Sequence, residues 1–332
     1  MRTNRQWLLG KRPKGPVAET HFRLAEAPAP GPQDGEALVQ NLYLSTDPTQ
    51  RGWMSRDTYL PVVRLLEVMR SFAVGRVVES KNPAFAPGEL VSGLFGWQDY
   101  AIVKQHQQVL RVPQDVPIPQ SMSALGVTGL TAYFGLLEIG QPKPGDTVVV
   151  SGAAGATGSV VGQIARLKGC RAIGIAGGKE KCEWLVREAR FDAAIDYKAE
   201  DVGARLRELC PKGIDVYFDN VGGAILDHAL ACLAMHGRVV LCGAIATYND
   251  DALVGPKNYL NLLLKRGRME GFIILDYLAR AGPALAQLAG WLKAGELVDR
   301  VDVLEGFENV PKALVRLFAG ANQGKQLVKI AD

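Results

Sequence analysis

The sequence predicts an α/β protein with two domains, one of short antiparallel strands and one with a doubly wound parallel sheet. Before residue 125, short apolar runs are separated by prolines and glycines, which is typical of antiparallel β structure. After Ser121, apolar strands alternate with helix-length segments, as in the βαβ units that build a parallel sheet. The 332 residues, 48% of them hydrophobic, are enough for two such domains.

The β domain is predicted from five short apolar runs in the first part of the chain. They occupy residues 37–44, 73–80, 89–93, 98–103 and 109–112. Two further strands, at residues 301–304 and 327–330, flank a helix predicted at residues 311–319. We therefore expect a β domain of residues 1–124 that is completed by residues 296–332.

The parallel-sheet domain is predicted over residues 125–295. Its strands are nearly continuous apolar runs, as expected where helices cover both faces of a sheet, and occupy residues 147–150, 171–176, 194–197, 214–219, 238–243 and 269–275. Helices are expected at residues 125–139, 159–168, 179–189, 200–209, 223–235, 256–266 and 277–292, the last one broken at Gly282-Pro283. This order predicts a doubly wound domain inserted into the β domain.

Composition excludes several other classes of protein. With 38 Lys and Arg against 34 Asp and Glu, the net charge of +4 is too evenly balanced for a nucleic-acid partner. The five cysteines form no CxxC pair, which predicts reduced thiols rather than a disulfide framework. The first residues are basic and polar, without an apolar stretch of signal-peptide length. We expect a cytoplasmic protein.

One uncharged segment, residues 148–165, has the hydropathy of a membrane helix. It also contains Gly158 and Gly162 at the spacing of a helix-dimer motif. Its four glycines, together with Ser151 and Gln163, suit a buried strand, turn and helix better than a membrane span. We therefore expect no membrane partner.

Three glycines, Gly152, Gly155 and Gly158, lie between a predicted strand and a predicted helix. In dinucleotide-binding folds the first permits a tight turn, the second lets the backbone approach a pyrophosphate, and the third lets the helix pack closely. The phosphates then lie against the N-terminus of the helix. Glycine-rich strand ends also occur without ligands, but the complete strand–turn–helix–strand context favours dinucleotide binding.

The end of the next strand indicates which dinucleotide is bound. NAD sites usually have Asp or Glu there, about 20 residues after the glycines, to bind the ribose 2′-hydroxyl. Here the strand ends in Gly177-Gly178, followed by Lys179 and Lys181. Glycines and lysines accommodate a 2′-phosphate that a carboxylate would repel. The alternative is a solvated first helical turn, where cations are mildly unfavourable, so the sequence favours NADPH/NADP.

Longer motifs resemble the medium-chain dehydrogenase/reductase superfamily, and they occupy residues 125–140, 150–165, 218–223 and 242–249. Residues 42–48, 96–100 and 306–311 are similar to its zinc-free branch of leukotriene B4 12-hydroxydehydrogenase/prostaglandin reductase, plant double-bond reductases and bacterial curcumin reductase. The resemblance covers essentially the whole chain. It implies a GroES-like catalytic domain, a Rossmann domain, NADPH as cofactor, a homodimer, and reduction of the C=C bond of α,β-unsaturated ketones and aldehydes.

The resemblance also implies the residues that contact the cofactor. It assigns the pyrophosphate to Gly152, Gly155, Ala156, Thr157 and Gly158, and the 2′-phosphate to Lys181 and Tyr197. The adenosine, the nicotinamide and their riboses fall on Asn220, Cys242, Gly243, Ala244, Ile245, Tyr248, Phe272, Ile273, Ile274 and Asn322. For an aromatic or asparagine taken alone, such as Tyr197 or Asn322, ordinary packing is the alternative.

The residue types also predict an enzyme without a metal. The zinc-dependent alcohol dehydrogenases of this superfamily need cysteine and histidine ligands. Residues 1–169 contain no cysteine, and the four histidines form no close ligand pair. This also argues against alcohol oxidation, in which a metal would stabilise the alkoxide.

Two tyrosines are the candidate catalytic residues. Tyr248 follows the strand that ends at Gly243, and Tyr59 lies in a loop of the β domain at residues 56–61. A phenol with an ordinary pKa near 10 is protonated at neutral pH, so it can donate a proton to an enolate. The alternative for Tyr248 is that it only packs on the cofactor.

The chain departs from its relatives on the substrate side. Thr49-Gln50 stands where related reductases commonly have Tyr-Met, Leu264 stands where plant enzymes have a tyrosine, and residues 64–71 are bulky where relatives are rich in glycine. The substrate is therefore the least determined part. A quinone reductase, and a non-enzymatic cofactor-binding protein like the crystallins recruited from this superfamily, stay open as alternatives.

Overall fold

The computed structural model describes residues 2–250 and 254–332, which fold as two units. The first unit comprises the residues up to Met122 together with Val301–Asn322 and Gln326–Asp332. The second comprises Ser123–Arg300 and Gln323–Lys325. The second unit thus begins slightly before and ends slightly after the bounds that we predict for the parallel-sheet domain.

The strands are β1 Thr3–Leu9, β2 Phe22–Pro28, β3 Ala37–Ser45, β4 Ala73–Ser80, β5 Leu90–Gly93, β6 Tyr100–Val103, β7 Leu110–Val112, β8 Thr147–Ser151, β9 Arg171–Ala176, β10 Ala193–Asp196, β11 Ile214–Asp219, β12 Leu233–Leu241, β13 Arg268–Gly271, β14 Val301–Glu305 and β15 Lys325–Lys329. The α-helices are α1 Thr49–Trp53, α2 Ile118–Ser121, α3 Val127–Phe134, α4 Ala156–Leu167, α5 Lys179–Arg187, α6 Val202–Leu209, α7 Gly223–Ala231, α8 Leu260–Lys265, α9 Ala281–Lys293 and α10 Val310–Phe318. Shorter 3₁₀ segments and one π-helical segment connect them at Glu19–His21, Gly135–Gly140, Ile245–Thr247, Ile274–Arg280 and Phe307–Asn309.

The first unit is built on a seven-stranded sheet in the order β14-β15-β3-β4-β5-β7, with β6 also paired to β3. The pairings of β3, β4 and β5 are antiparallel, so the predicted class of this unit is confirmed. Its core contains large buried side chains, among them Trp53, Trp97 and Phe307. The C-terminal segment contributes to this core, and the Trp7 indole N–H donates to the Phe307 carbonyl at 2.9 Å.

The antiparallel ribbon of β1 and β2 is absent from the sequence prediction. Its strands carry Asn, Arg, Gln and Glu between their apolar residues, so neither forms an apolar run of the kind used to identify the other strands. The ribbon is attached through backbone hydrogen bonds, such as that from the Trp7 N–H to the Trp97 carbonyl at 2.9 Å. Such long-range pairing leaves no local signal in the sequence.

The second unit is built on a six-stranded parallel sheet in the order β10-β9-β8-β11-β12-β13. Apolar clusters cover both faces of this sheet, which is the doubly wound arrangement that the sequence predicts. The strand order reverses between β8 and β11, and ligands of doubly wound folds bind beside the carboxyl ends of the strands at such a point.

Several predicted element bounds in the second unit are wrong. The helix predicted at residues 223–235 ends at Ala231, because Leu233 already pairs with Ile214 in the sheet. The strand predicted at residues 269–275 ends at Gly271, and a 3₁₀ segment follows. The helix predicted at residues 256–266 covers only α8. The predicted break at Gly282-Pro283 lies earlier, because α9 starts at Ala281 and a helix tolerates proline in its first turn.

The uncharged segment at residues 148–165 forms most of β8, the glycine turn and most of α4, rather than one helix. A Cβ at Gly158 would overlap the Gly152 carbonyl oxygen, and one at Gly162 would overlap the Phe191 ring. Both glycines therefore serve close packing within this unit. In the part of the chain that the structure describes, no helix is both long and apolar enough to cross a membrane.

We expect Gly162→Ala to lower the free energy of unfolding by about 1–3 kcal/mol, because the added methyl group overpacks the Phe191 ring. Gly290→Ala is the matched control, since Gly290 lies inside α9 and a Cβ there meets no atom within 4 Å. It should raise stability by up to about 1 kcal/mol through helix propensity. Urea unfolding measures both, and equal effects would contradict this account of Gly162.

Candidate active site

The glycine turn connects β8 to α4 at the carboxyl edge of the parallel sheet. Gly152 has a φ of +58°, which a residue with a side chain rarely adopts. Gly155 is the N-cap of α4, and no side chain caps the helix. Because the first N–H groups of an α-helix have no partner inside it, Ala156 and Thr157 present backbone donors at this end. The turn therefore has the features of an anion-binding helix start.

Asp219, the last residue of β11, connects three neighbouring strand ends. Its Oδ1 accepts hydrogen bonds from the Ser151 hydroxyl at 2.8 Å and the Tyr217 hydroxyl at 3.0 Å. Its backbone carbonyl accepts the N–H groups of Cys242 and Gly243, at 2.9 and 3.0 Å. Thus β8, β11 and the end of β12 meet at one residue.

The Asp219 carboxylate also organises the turn that follows β11. The N–H groups of Val221 and Gly222 donate to Oδ1 at 3.1 and 3.0 Å. Asp219 is fully buried, and this burial raises the pKa of its carboxyl group. Asp219 lies within the motif at residues 218–223, but the motif predicts no role for it. An acidic residue at the end of a mostly apolar strand is the signal that could have identified it.

Asn220, a predicted cofactor contact, lies beside the glycine turn. Its side-chain amide donates to the Ser151 carbonyl at 2.7 Å, and its backbone N–H donates to the Ser151 hydroxyl at 2.9 Å. A Cβ at Gly152 would lie 3.4 Å from that of Asn220. The structure therefore brings Asn220 together with the glycine turn.

Tyr248 lies just after the 3₁₀ segment that follows β12, and it is half-buried. Its hydroxyl oxygen accepts the Ala244 N–H at 3.1 Å. A Cβ at Gly243 would lie 3.4 Å from that oxygen, so the phenol lies over this glycine. A hydroxyl that accepts one hydrogen bond keeps its own proton for donation. The predicted residues Gly243, Ala244 and Tyr248 are thus close together.

The cysteines of the second unit are protonated thiols at neutral pH. Burial raises the pKa of Cys242 to about 12, and that of Cys170, Cys182 and Cys210 to about 11. Cys242, a predicted cofactor contact, therefore does not act as a thiolate nucleophile. Among residues 2–250 and 254–332, no group of three or more His, Cys, Asp or Glu side chains is placed to hold a metal ion.

The end of β9 meets the end of β10 at two glycines. A Cβ at Gly177 would lie 2.8 Å from the ring and the hydroxyl of Tyr197, so only glycine leaves room for this ring. The N–H of Gly178, which has a φ of +101°, donates to the Asp196 carboxylate at 2.8 Å. Lys181 lies in the first turn of α5 and is half-buried. The predicted residue Tyr197 therefore covers the predicted glycine pair.

Phe272 belongs to the core rather than to an open site. A Cβ at Gly135 would lie 2.5 Å from the Phe272 ring and 2.8 Å from that of Phe218. The Phe272 ring also contacts Tyr277, with ring centroids 6.1 Å apart. These contacts occupy the Phe272 side chain, and the cofactor contacts of Phe272, Ile273 and Ile274 stay predictions.

Tyr59 and Asn322 lie in the first unit. Tyr59 is 44% exposed, shares a hydrogen bond with the Thr49 hydroxyl at 2.9 Å, and packs edge-on against the buried Trp53. Desolvation raises the pKa of Tyr59, so its phenol is protonated at neutral pH. Asn322 is buried and is the residue before the Gln323–Lys325 segment of the second unit.

Known proteins match this chain over its whole length. A family model described as the N-terminal domain of oxidoreductase matches residues 5–112, and one described as zinc-binding dehydrogenase matches residues 156–289. The chain is 40% identical to the NADPH-dependent curcumin reductase of Escherichia coli, over 99% of this chain and 97% of that protein. The chain belongs to the zinc-independent double-bond reductase branch of the medium-chain dehydrogenase/reductase superfamily.

Two further members of the branch extend the comparison. The 2-alkenal reductase (NADP(+)-dependent) of Nicotiana tabacum is 41% identical over 89% of this chain and 88% of that protein. The crystal structure of CurA from Vibrio vulnificus in complex with NADPH superposes with a TM-score of 0.93 at 42% identity, covering 99% of both chains. Membership confirms the predicted family and fold class. The individual site residues stay predictions.

Proposed function

We propose that this protein is an NADPH-dependent oxidoreductase that reduces the C=C double bond of α,β-unsaturated ketones and aldehydes. The observation that carries this proposal is the glycine turn of β8 combined with a second strand that ends in Gly177-Gly178 instead of a carboxylate. The reductases to which the chain is similar act on alkenals and curcumin with NADPH or NADP.

The residues of the second unit fit NADPH. The glycines of the turn leave the backbone open, and the uncapped start of α4 offers N–H donors to the pyrophosphate. Tyr197 and Lys181 would hold the 2′-phosphate, and the ends of β11, β12 and β13 would hold the adenosine, the nicotinamide and their riboses. Asn322 is the predicted contact from the C-terminal part of the chain. When bound, NADPH supplies a hydride for the β-carbon of the substrate.

Negative charge develops on the carbonyl oxygen of the substrate as its β-carbon is reduced. We assign the stabilisation of this enolate to the hydroxyl of Tyr248, whose oxygen accepts the Ala244 N–H. Tyr59 is the second proposed donor, because its phenol is protonated and ordered by Thr49. Either phenol can supply the proton that the α-carbon takes up.

Steady-state NADPH oxidation tests the proposed function. The panel contains an alkenal, an aryl enone, a quinone and a saturated ketone, and we expect activity with the first two. Activity with the quinone alone would indicate the alternative quinone reductase, and activity with none would indicate a non-enzymatic cofactor-binding protein. Because we expect no metal, dialysis against a strong chelator should leave the activity intact.

We further propose a cytoplasmic homodimer. Strand β13 is an edge strand of the parallel sheet, and the neighbouring helix α8 exposes Leu260, Leu263 and Leu264 by 58%, 74% and 64%. Burying such an apolar helix face against a second copy would stabilise the dimer. The free cysteines of the described chain agree with a reducing compartment. Sedimentation equilibrium measures the oligomeric state.

Lys181→Ala should lower kcat/KM for NADPH at least about tenfold, which corresponds to about 1.4 kcal/mol, because it removes a cation from the 2′-phosphate. The value for NADH should stay nearly unchanged. Lys179→Ala is the matched control, since Lys179 is exposed in the same turn and pairs with Glu183 at 3.8 Å. Equal losses with both coenzymes would show that Lys181 supports the helix instead.

Tyr248→Phe should lower kcat for an enone by about tenfold or more, because the enolate loses a hydrogen-bond donor. The dissociation constant for NADPH should stay within about threefold. Tyr133→Phe is the control, since the Tyr133 hydroxyl bonds to Gln287 at 2.8 Å on the surface. A loss of cofactor affinity with an unchanged kcat would make Tyr248 a binding residue only.

A further inference from the structure

Two segments of the predicted substrate side, Thr49-Gln50 and residues 64–71, meet in the first unit. Gln50 is fully buried, and its side chain accepts the Asp47 N–H at 2.8 Å and donates to the Arg70 carbonyl at 2.9 Å. Its neighbour Thr49 shares a hydrogen bond with the Tyr59 hydroxyl at 2.9 Å. Thr49 therefore orders the Tyr59 side chain, and Gln50 orders the backbone of Arg70.

The guanidinium of Arg70 is held in place from two sides. It lies 5.5 Å from the ring centroid of the buried Trp53, and it donates one N–H to the Pro61 carbonyl at 2.8 Å. Tyr59 packs edge-on against the same indole, with ring centroids 6.2 Å apart. Arg70 and Tyr59, the proposed proton donor, thus both pack against the Trp53 ring.

Arg70 forms no ion pair within 4 Å in the described parts of the chain, although the Glu67 carboxylate is near enough to raise the pKa of Arg70. Glu67, the acidic residue closest to it in sequence, instead pairs with Arg64 at 3.9 Å. The Asp47 carboxylate accepts the Ser45 hydroxyl at 2.5 Å. Partial burial lowers the pKa of Arg70, which remains protonated. A half-buried guanidinium with one bonded N–H keeps donors available for an anion.

We propose that Arg70 binds a carboxylate on the substrate, so that the preferred substrates are α,β-unsaturated ketones that carry a carboxylate group. This inference rests on the proposed function, in which Tyr59 meets the substrate. The planar fork of a guanidinium matches the two oxygens of a carboxylate, and stacking on an aromatic ring fixes its orientation. Arg70 is then a specificity-determining residue.

Three matched ketones test the proposal. They are a nonenone with a methyl ketone and a trans double bond, the same ketone with a carboxylate in place of its terminal methyl group, and the methyl ester of that acid. For the unaltered protein we expect kcat/KM to be at least about tenfold higher for the acid than for the ester. The preference should decrease with added salt, because the contact is ionic.

Variants then assign the preference to Arg70. Arg70→Met should reduce the acid-to-ester ratio of kcat/KM to near one, whereas Arg70→Lys should keep part of it, because the charge remains without the planar fork. Arg64→Met is the matched control, since it removes an exposed arginine from the same segment and should leave the ratio unchanged. Thermal unfolding of each variant shows whether it is folded.

The outcomes separate this inference from the proposed function. If the unaltered protein reduces none of the three ketones, the proposed function fails. If it reduces the nonenone but shows no preference for the acid over the ester, the inference fails while the proposed function stands. A preference that Arg70→Met retains would also overturn it. If Arg70→Met does not fold, the inference is tested by the acid-to-ester ratios of kcat/KM for the unaltered protein and for Arg70→Lys. An equal ratio in these two proteins would overturn it.

Discussion

The carboxylate of Asp219 is the acceptor on which the turns around the proposed cofactor site depend. One buried oxygen of this carboxylate accepts hydrogen bonds from two side-chain hydroxyls and two backbone N–H groups. The backbone carbonyl of Asp219 accepts hydrogen bonds from two further N–H groups. Leaving buried donors at the ends of strands without an acceptor would be costly. The strand ends at the reversal of the sheet are therefore fixed relative to one another before any ligand binds.

Small residues lie next to Asp219 at the end of β12. The hydroxyl of Tyr248 lies over Gly243, where a Cβ would be 3.4 Å from it, and the Ala244 N–H orients that hydroxyl. The backbone carbonyl of Asp219 thus holds Gly243, and the next residue, Ala244, bonds the phenol that we propose as proton donor. Pre-organised donors of this kind need no rearrangement as charge develops on a substrate.

The sequence predicts the parts of the molecule whose chemistry is local. The glycine turn, the glycine pair before α5 and the apolar parallel strands each have a signal within a few residues. No such local signal marks the β1–β2 ribbon, the early start of β12 or the hydrogen bonds to Asp219, because each depends on partners distant in the chain. Phe272 shows the same limit, because its ring packs on Gly135, which is far from Phe272 in the sequence.

The chain-specific residues of the first unit follow a different physical rule. Gln50 is buried, so its amide must satisfy both of its polar ends inside the protein, and it does so on Asp47 and Arg70. A buried methionine has no such requirement and would leave the Arg70 carbonyl without this donor. Gln50 therefore fixes the backbone at position 70, whichever side chain that residue carries. The Arg70 guanidinium is oriented separately, by the Trp53 ring and the Pro61 carbonyl, so the backbone and the side chain at position 70 are held by different residues.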